Sequence, residues 1–174
     1  MSTQTVFQIQ LALGYVAWLL CFSVYILPWL KAMDRAAAHR VIATLHSFRF
    51  FGLVFLVPGV VGDLPAGFTV SAAWGDFAAG VLALMALLTA RVRSLFWLFV
   101  VAFNVVGTVD LLANYVNAIR LGVPAAAGQF SATYAIPILY VPILMITHVA
   151  ALWWLVRPQA RATLLPAAMT AGSR

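Results

Sequence analysis

Apolar residues occupy five long runs that are separated by short polar segments. The runs cover residues 11–30, 41–61, 70–90, 95–118 and 132–156, and the first contains no charged residue. A helix rises about 1.5 Å per residue, so about 20 residues cross the ~30 Å hydrocarbon core of a bilayer. The pattern therefore predicts an all-α polytopic membrane protein with five transmembrane helices.

Composition indicates the same class of protein. The chain is 65% apolar and only 8% charged, whereas about 25% of the residues in a soluble domain are charged. Residues 1–10 contain no Lys or Arg, so the basic region of a signal peptide is missing. We expect residues 1–156 to form one five-helix bundle that retains the first run as a helix. We expect residues 157–174 to be a basic, disordered cytoplasmic tail.

The distribution of Lys and Arg among the polar segments predicts an orientation. Residues 31–40 contain three of them, residues 91–94 two and the tail three. The N-terminal segment and residues 62–69 contain none, and residues 119–130 contain one. Because cytoplasmic loops are enriched in Lys and Arg, we expect an N-out, C-in protein of the bacterial inner (cytoplasmic) membrane.

Several other classes of protein do not match the sequence. The net charge is +6, but the basic residues form no patch with aromatic residues, which argues against nucleic-acid binding. The single cysteine, Cys21, cannot form an internal disulfide and belongs to no metal-ligand pattern. The chain has no Glu and no H-E-x-x-H, G-x-S-x-G or P-loop motif. The sequence favours a protein that is not an enzyme and has no protein-bound metal.

Polar residues inside the apolar runs are the candidate functional residues, because a charged group in hydrocarbon costs about 2.5–3.5 kcal/mol on insertion scales. Counting the rise per residue predicts two layers of them. The inner layer contains His46, Arg49, Asn104 and His148. The outer layer contains Asp76, Asp110 and Asn114. Side-chain direction makes Asn104 and His148 easier partners for Arg49 than Asp110.

These polar residues are open to three interpretations. The leading one is a small carrier or binding protein for a hydrophobic or weakly charged small molecule. Its inner site would use His46, Arg49, Asn104 and His148, with Arg49 and His46 holding an anionic or quinone-like head group. Its outer site would be an outward-facing cavity in which Asp76 and Asp110 receive a cation or a proton. The second is a redox protein in which His46 and His148 ligate a b-type haem. The third is an accessory subunit of a membrane complex, in which the polar groups only join helices. Because five helices are few for a monomeric transporter, we expect a homodimer or a membrane-protein partner.

Local sequence also predicts how two of the helices are shaped and packed. Gly107 and Asp110 lie on one stripe of the fourth helix, which favours close packing against the third. Pro137 and Pro142 cannot donate hydrogen bonds to carbonyls four residues earlier, which predicts a kink in the fifth helix.

One segment resembles known proteins. The run LHSFRFFGLVFLVPGVVG, from Leu45 to Gly62, is similar to a segment of small bacterial integral membrane proteins of the kind labelled hypothetical. Shorter stretches that share the resemblance are Gly75-Asp76, Phe103–Gly107, Asp110-Leu111 and Tyr140–His148. The resemblance covers the five predicted helices but not the tail. It implies a bacterial inner-membrane location and assigns no functional residue.

Overall fold

The computed structural model describes residues 1–157, and every regular element in that range is helical. Residues 158–174 of the predicted tail lie outside the described residues. The principal helical segments are α1 (Thr3–Lys31), α2 (Arg35–Ser47, continued by a 3₁₀ helix at Phe48–Leu56), α3 (Ala66–Leu88), α4 (Arg93–Arg120) and α5 (Ile136–Val156). A separate 3₁₀ helix, Ala127–Tyr134, precedes α5.

Four segments, α1, α3, α4 and α5, are long and apolar enough to cross a membrane. The predicted class, an all-α protein with several helices able to cross a membrane, is therefore confirmed. The remaining predicted span, residues 41–61, differs from the expectation of one long α-helix. Its helical part ends at Leu56, and Val57 has extended backbone angles (φ −80°, ψ 118°). Pro58 explains this end, since a proline disfavours helical angles in the residue before it.

The change to 3₁₀ geometry at Phe48 places one row of α2 residues, spaced three apart, against α3. A 3₁₀ helix has three residues per turn, so residues three apart lie in line. Arg49, Gly52 and Phe55 have this spacing and are the buried residues of the segment. In an α-helix, successive members of this row would be rotated by about 60° around the axis. The tighter helix therefore keeps all three on the same face.

Glycines allow the 3₁₀ segment to approach α3 closely. A Cβ atom on Gly52 would overlap the carboxylate of Asp76, and one on Gly80 would lie 3.0 Å from the backbone nitrogen of Phe50. Membrane helices associate through such small residues because lipid provides little hydrophobic drive for packing. Gly52 and Gly80 therefore fix how near α2 lies to α3.

The prolines of α5 produce a contact with α1. Residues Ile136–Tyr140 form a π-helical turn, and the regular α-helix begins at Val141. The irregularity predicted from Pro137 and Pro142 is therefore present, although α5 begins at Ile136 rather than at residue 132. Ser131, with a φ of 50°, interrupts the 3₁₀ helix that precedes α5. Gly14 of α1 packs on this turn, since a Cβ atom there would overlap the carbonyl oxygen of Ile138.

We predict that Gly14→Ala separates α1 from α5 and lowers the free energy of unfolding by about 1–3 kcal/mol, as overpacked contacts do. Gly67→Ala is the matched control, because a Cβ atom there would meet only Cδ1 of Leu121 at 3.6 Å. Unfolding in detergent, followed by circular dichroism, measures both variants. A Gly14→Ala variant as stable as the wild type would show that α1 is not held at this point.

Candidate functional site

Arg49 is the centre of a buried ionic cluster that joins four helical segments. Its side chain is fully buried. Nε donates a hydrogen bond to Oδ1 of Asp76 on α3 at 2.7 Å, and Nη2 donates to Oδ2 of Asp110 on α4 at 2.5 Å. Nη1 lies 3.2 Å from Nε2 of His148 on α5. Each nitrogen of the guanidinium group thus contacts a different helix.

His148 connects the guanidinium group to a second point on α4. Asn104 donates through Nδ2 to the carbonyl oxygen of Val100 at 2.8 Å, which leaves its Oδ1 as an acceptor 3.0 Å from Nδ1 of His148. Nδ1 of His148 therefore carries a proton, and Nε2 accepts from Arg49. This arrangement makes His148 a neutral imidazole with both nitrogens bonded.

The two aspartates have different surroundings. Asp110 accepts a second hydrogen bond, at 2.8 Å, from Nδ2 of Asn114, and Ser71 of α3 donates to Oδ1 of Asn114 at 3.3 Å. Both carboxylate oxygens of Asp110 are thus bonded. Oδ2 of Asp76, in contrast, accepts no hydrogen bond from any residue in the range 1–157.

Two glycines leave the space that the cluster occupies. A Cβ atom on Gly75 of α3 would overlap the carboxylate of Asp110. A Cβ atom on Gly107 of α4 would lie 2.5 Å from Nε2 of His148 and would overlap Nη1 of Arg49. The predicted close packing of α3 and α4 is therefore confirmed. The role of Gly75 was missed, although its position next to Asp76 in an apolar run was a signal that could have revealed it.

The cluster corrects the prediction of two separate polar layers. Arg49 binds both aspartates of the expected outer layer, and Asn104 reaches it only through His148. The cause is the length of the arginine side chain. Its Cβ atom packs level with Gly80, while its guanidinium group reaches Asp76, one helical turn nearer the start of α3. The prediction from the rise per residue placed each side chain at the depth of its own backbone. It therefore omitted this displacement, which is about 5.4 Å.

The geometry does not fit a b-type haem between His46 and His148. Their ring centroids are 4.0 Å apart. Two imidazoles that bind one metal from opposite sides, through bonds of about 2 Å, hold their centroids about 6 Å apart. Nε2 of His46 lies 3.0 Å from the hydroxyl of Thr147, and Nε2 of His148 is bonded to Arg49. Within residues 1–157, no group of three or more His, Cys, Asp or Glu side chains is placed to hold a metal ion.

An apolar cavity of about 230 Å³ lies beside the cluster. Its aromatic lining residues include Phe7, Phe55, Phe68 and Phe130, and its polar lining residues include Gln8, Asp76, Asn114 and Tyr115. Asp76 is the only charged lining residue among those the structure describes. The other five predicted site residues do not line it: His46, Arg49, Asn104, Asp110 and His148.

The fold and the site define an all-helical membrane protein with a buried ionic cluster at the wall of an apolar cavity. The chain belongs to the family described as Domain of unknown function (DUF8737), whose model matches residues 6–156. The matched range contains the whole cluster and the whole cavity lining. No curated protein and no solved structure matches the chain significantly.

We predict that Arg49→Leu destabilises the protein by about 3–5 kcal/mol, because it removes the buried cation that Asp76 and Asp110 both contact. Adding Asp76→Asn and Asp110→Asn to Arg49→Leu should recover much of this loss, since the neutral amides remove the uncompensated charge. Thermal unfolding in detergent compares the three proteins. A triple variant no more stable than Arg49→Leu alone would contradict the electrostatic explanation.

Proposed function

We propose that the chain is a small membrane-embedded carrier or binding protein for a hydrophobic small molecule that occupies the apolar cavity. The observation that supports this proposal is the cavity itself, whose lining is mostly apolar and aromatic and includes a few polar groups. Small-molecule sites usually have this composition. A cavity of about 150 Å³ holds benzene, so about 230 Å³ accepts a benzene ring with a short substituent.

In this proposal, Arg49 positions the site and does not bind the ligand. It is fully buried, three of its nitrogens are engaged within the protein, and it does not line the cavity. An anionic or quinone-like head group would have to displace Asp76 or Asp110 to reach it. The ligand instead meets Asp76 and Asn114, which are the two predicted site residues on the cavity wall.

The second candidate function is an accessory subunit of a membrane complex. The dense hydrogen bonding around Arg49 favours it, because the cluster joins α2, α3, α4 and α5 without any ligand. The two functions make different demands on the cavity. A subunit that serves only packing has no need of a saturable site there.

We also propose that α2 crosses the membrane, which gives five spans with the N-terminus outside and the C-terminus inside. The 13 residues of its α-helical part extend about 20 Å, and the 9 residues of its 3₁₀ part extend about 18 Å. Together they exceed the ~30 Å hydrocarbon core. The distribution of Lys and Arg supports this orientation, and we propose the bacterial inner membrane as the location and a homodimer or a membrane-protein partner as the assembly.

A change that fills the cavity tests the binding function. Ala118 lines the cavity on α4, and Ala118→Phe should abolish saturable binding of trifluoromethylbenzene to the protein in nanodiscs, measured by fluorine NMR against empty nanodiscs. Val109→Phe is the matched control, because Val109 lies on the exposed face of the same helix. Equal binding by Ala118→Phe, or no binding by the wild type above empty nanodiscs, would contradict the proposal.

Cysteine labelling tests the five spans. In a Cys21→Ser background, which removes the single native cysteine, Asp63→Cys should react with an impermeant maleimide added outside spheroplasts. Ala32→Cys should react only after permeabilisation. Both residues are exposed at opposite ends of α2, so labelling from the same side would show that α2 does not cross.

A further inference from the structure

We propose that the cavity binds a lipophilic amine in its protonated form, in exchange for a proton held by the Asp76–Asp110 pair. This inference rests on the proposed binding function and names the chemical class of its ligand. It follows from three features of the described residues: the charge balance of the cluster, the free oxygen of Asp76, and the composition of the cavity wall.

The buried cluster contains one more acidic group than basic groups. Arg49 supplies one positive charge, while Asp76 and Asp110 supply two negative charges when both are ionised. The other titratable groups around the cluster and the cavity are His46, His148, Tyr15, Tyr115 and Tyr140. His148 is a neutral imidazole by its hydrogen bonds, and a phenol supplies no positive charge. Because an uncompensated charge inside a membrane is costly, the cluster requires one proton or one further cation.

Asp76 is the carboxylate that can meet this cation. It is 8% exposed, and it lines the cavity. Arg49 occupies its Oδ1, whereas Oδ2 receives no hydrogen bond within the described part of the chain. Asp110 does not line the cavity, and its two oxygens bind Arg49 and Asn114. A carboxylate oxygen with free lone pairs is a strong acceptor for the N–H group of an ammonium ion.

The cavity wall suits an apolar body that carries a positive charge. Phe55, Phe68 and Phe130 form a triad of edge-to-face rings, with centroids 6.0 to 6.2 Å apart. Aromatic faces attract cations, most strongly where water is excluded. Among the described residues, no Lys or Arg lines the cavity, so an anion would find Asp76 and no positive partner.

The exchange conserves charge at every step. Without a ligand, Oδ2 of Asp76 carries one proton, because both oxygens of Asp110 already accept hydrogen bonds. Arg49 balances the negative charge of Asp110. When the protonated amine enters, its N–H group donates to Oδ2 of Asp76, and the carboxyl proton leaves for water. One O–H bond breaks, one positive charge enters, and one leaves. The membrane interior stays neutral in both states, so that binding of the amine and release of the proton are coupled.

Two isosteric probes test the inference on the wild-type protein. Protonated N,N-dimethylbenzylamine and isobutylbenzene have the same shape and differ by one N–H group in place of a C–H group. Calorimetry in nanodiscs at neutral pH, corrected with empty nanodiscs, should show that the amine binds at least about tenfold more tightly. Its heat should vary with the ionisation enthalpy of the buffer, as expected for about one proton released per amine bound. The heat of isobutylbenzene should not vary.

Asp76→Asn should remove both the preference for the amine and the proton release, while isobutylbenzene still binds. The wild-type comparison decides the matter even if this variant does not fold. Saturable isobutylbenzene binding with no tighter binding of the amine, or amine binding without proton release, would overturn the inference and leave the proposed function standing. If neither probe shows saturable binding above empty nanodiscs, the proposed function fails as well.

Discussion

A guanidinium group in hydrocarbon must be paired, and in this protein the pairing of Arg49 determines how four helical segments meet. Its partners come from α3, α4 and α5, and its own backbone belongs to α2. Because the N–H groups of a guanidinium fork point in fixed directions, the partner helices cannot shift independently. The contacts of α1 include packing of Gly14 on the π-helical turn of α5 and a hydrogen bond between the hydroxyls of Tyr15 and Tyr115, and none of the described contacts of α1 is an ion pair.

The close approach of the helices follows from the same constraint. A Cβ atom on Gly52 would overlap the carboxylate of Asp76, and one on Gly75 would overlap the carboxylate of Asp110. A Cβ atom on Gly107 would overlap Arg49. Charged groups that must lie between helices need space, and glycine provides it without separating the backbones. The small residues therefore have a second role beyond helix packing, since they accommodate the ionic cluster.

The sequence predicted the polar residues of the site and the contact of Arg49 with His148, but not the pairing of Arg49 with both aspartates. Arg49 and Asp76 stand out because a charged residue within an apolar run is costly unless it is paired or faces a cavity. Their pairing was not predicted, because a depth count places each side chain at its own backbone, whereas Arg49 extends by one turn along α3. The cavity also could not be predicted from the sequence. A phenylalanine such as Phe55 or Phe130, which lines it, cannot be distinguished in sequence from one that faces lipid.

The second carboxylate, that of Asp76, distinguishes the proposed binding function from a purely structural role of the cluster. One buried arginine needs only one anion for neutrality, and Asp110, with both oxygens bonded, meets that need. Asp76 accepts the hydrogen bond from the buried Nε of Arg49, but a neutral acceptor could do so without the desolvation cost of a second buried charge. Asp76 is also the aspartate that lines the cavity and has an unbonded oxygen. A purely structural role therefore accounts for the charges of Arg49 and Asp110, whereas the proposed exchange of a proton for a cationic ligand would account for the charge of Asp76.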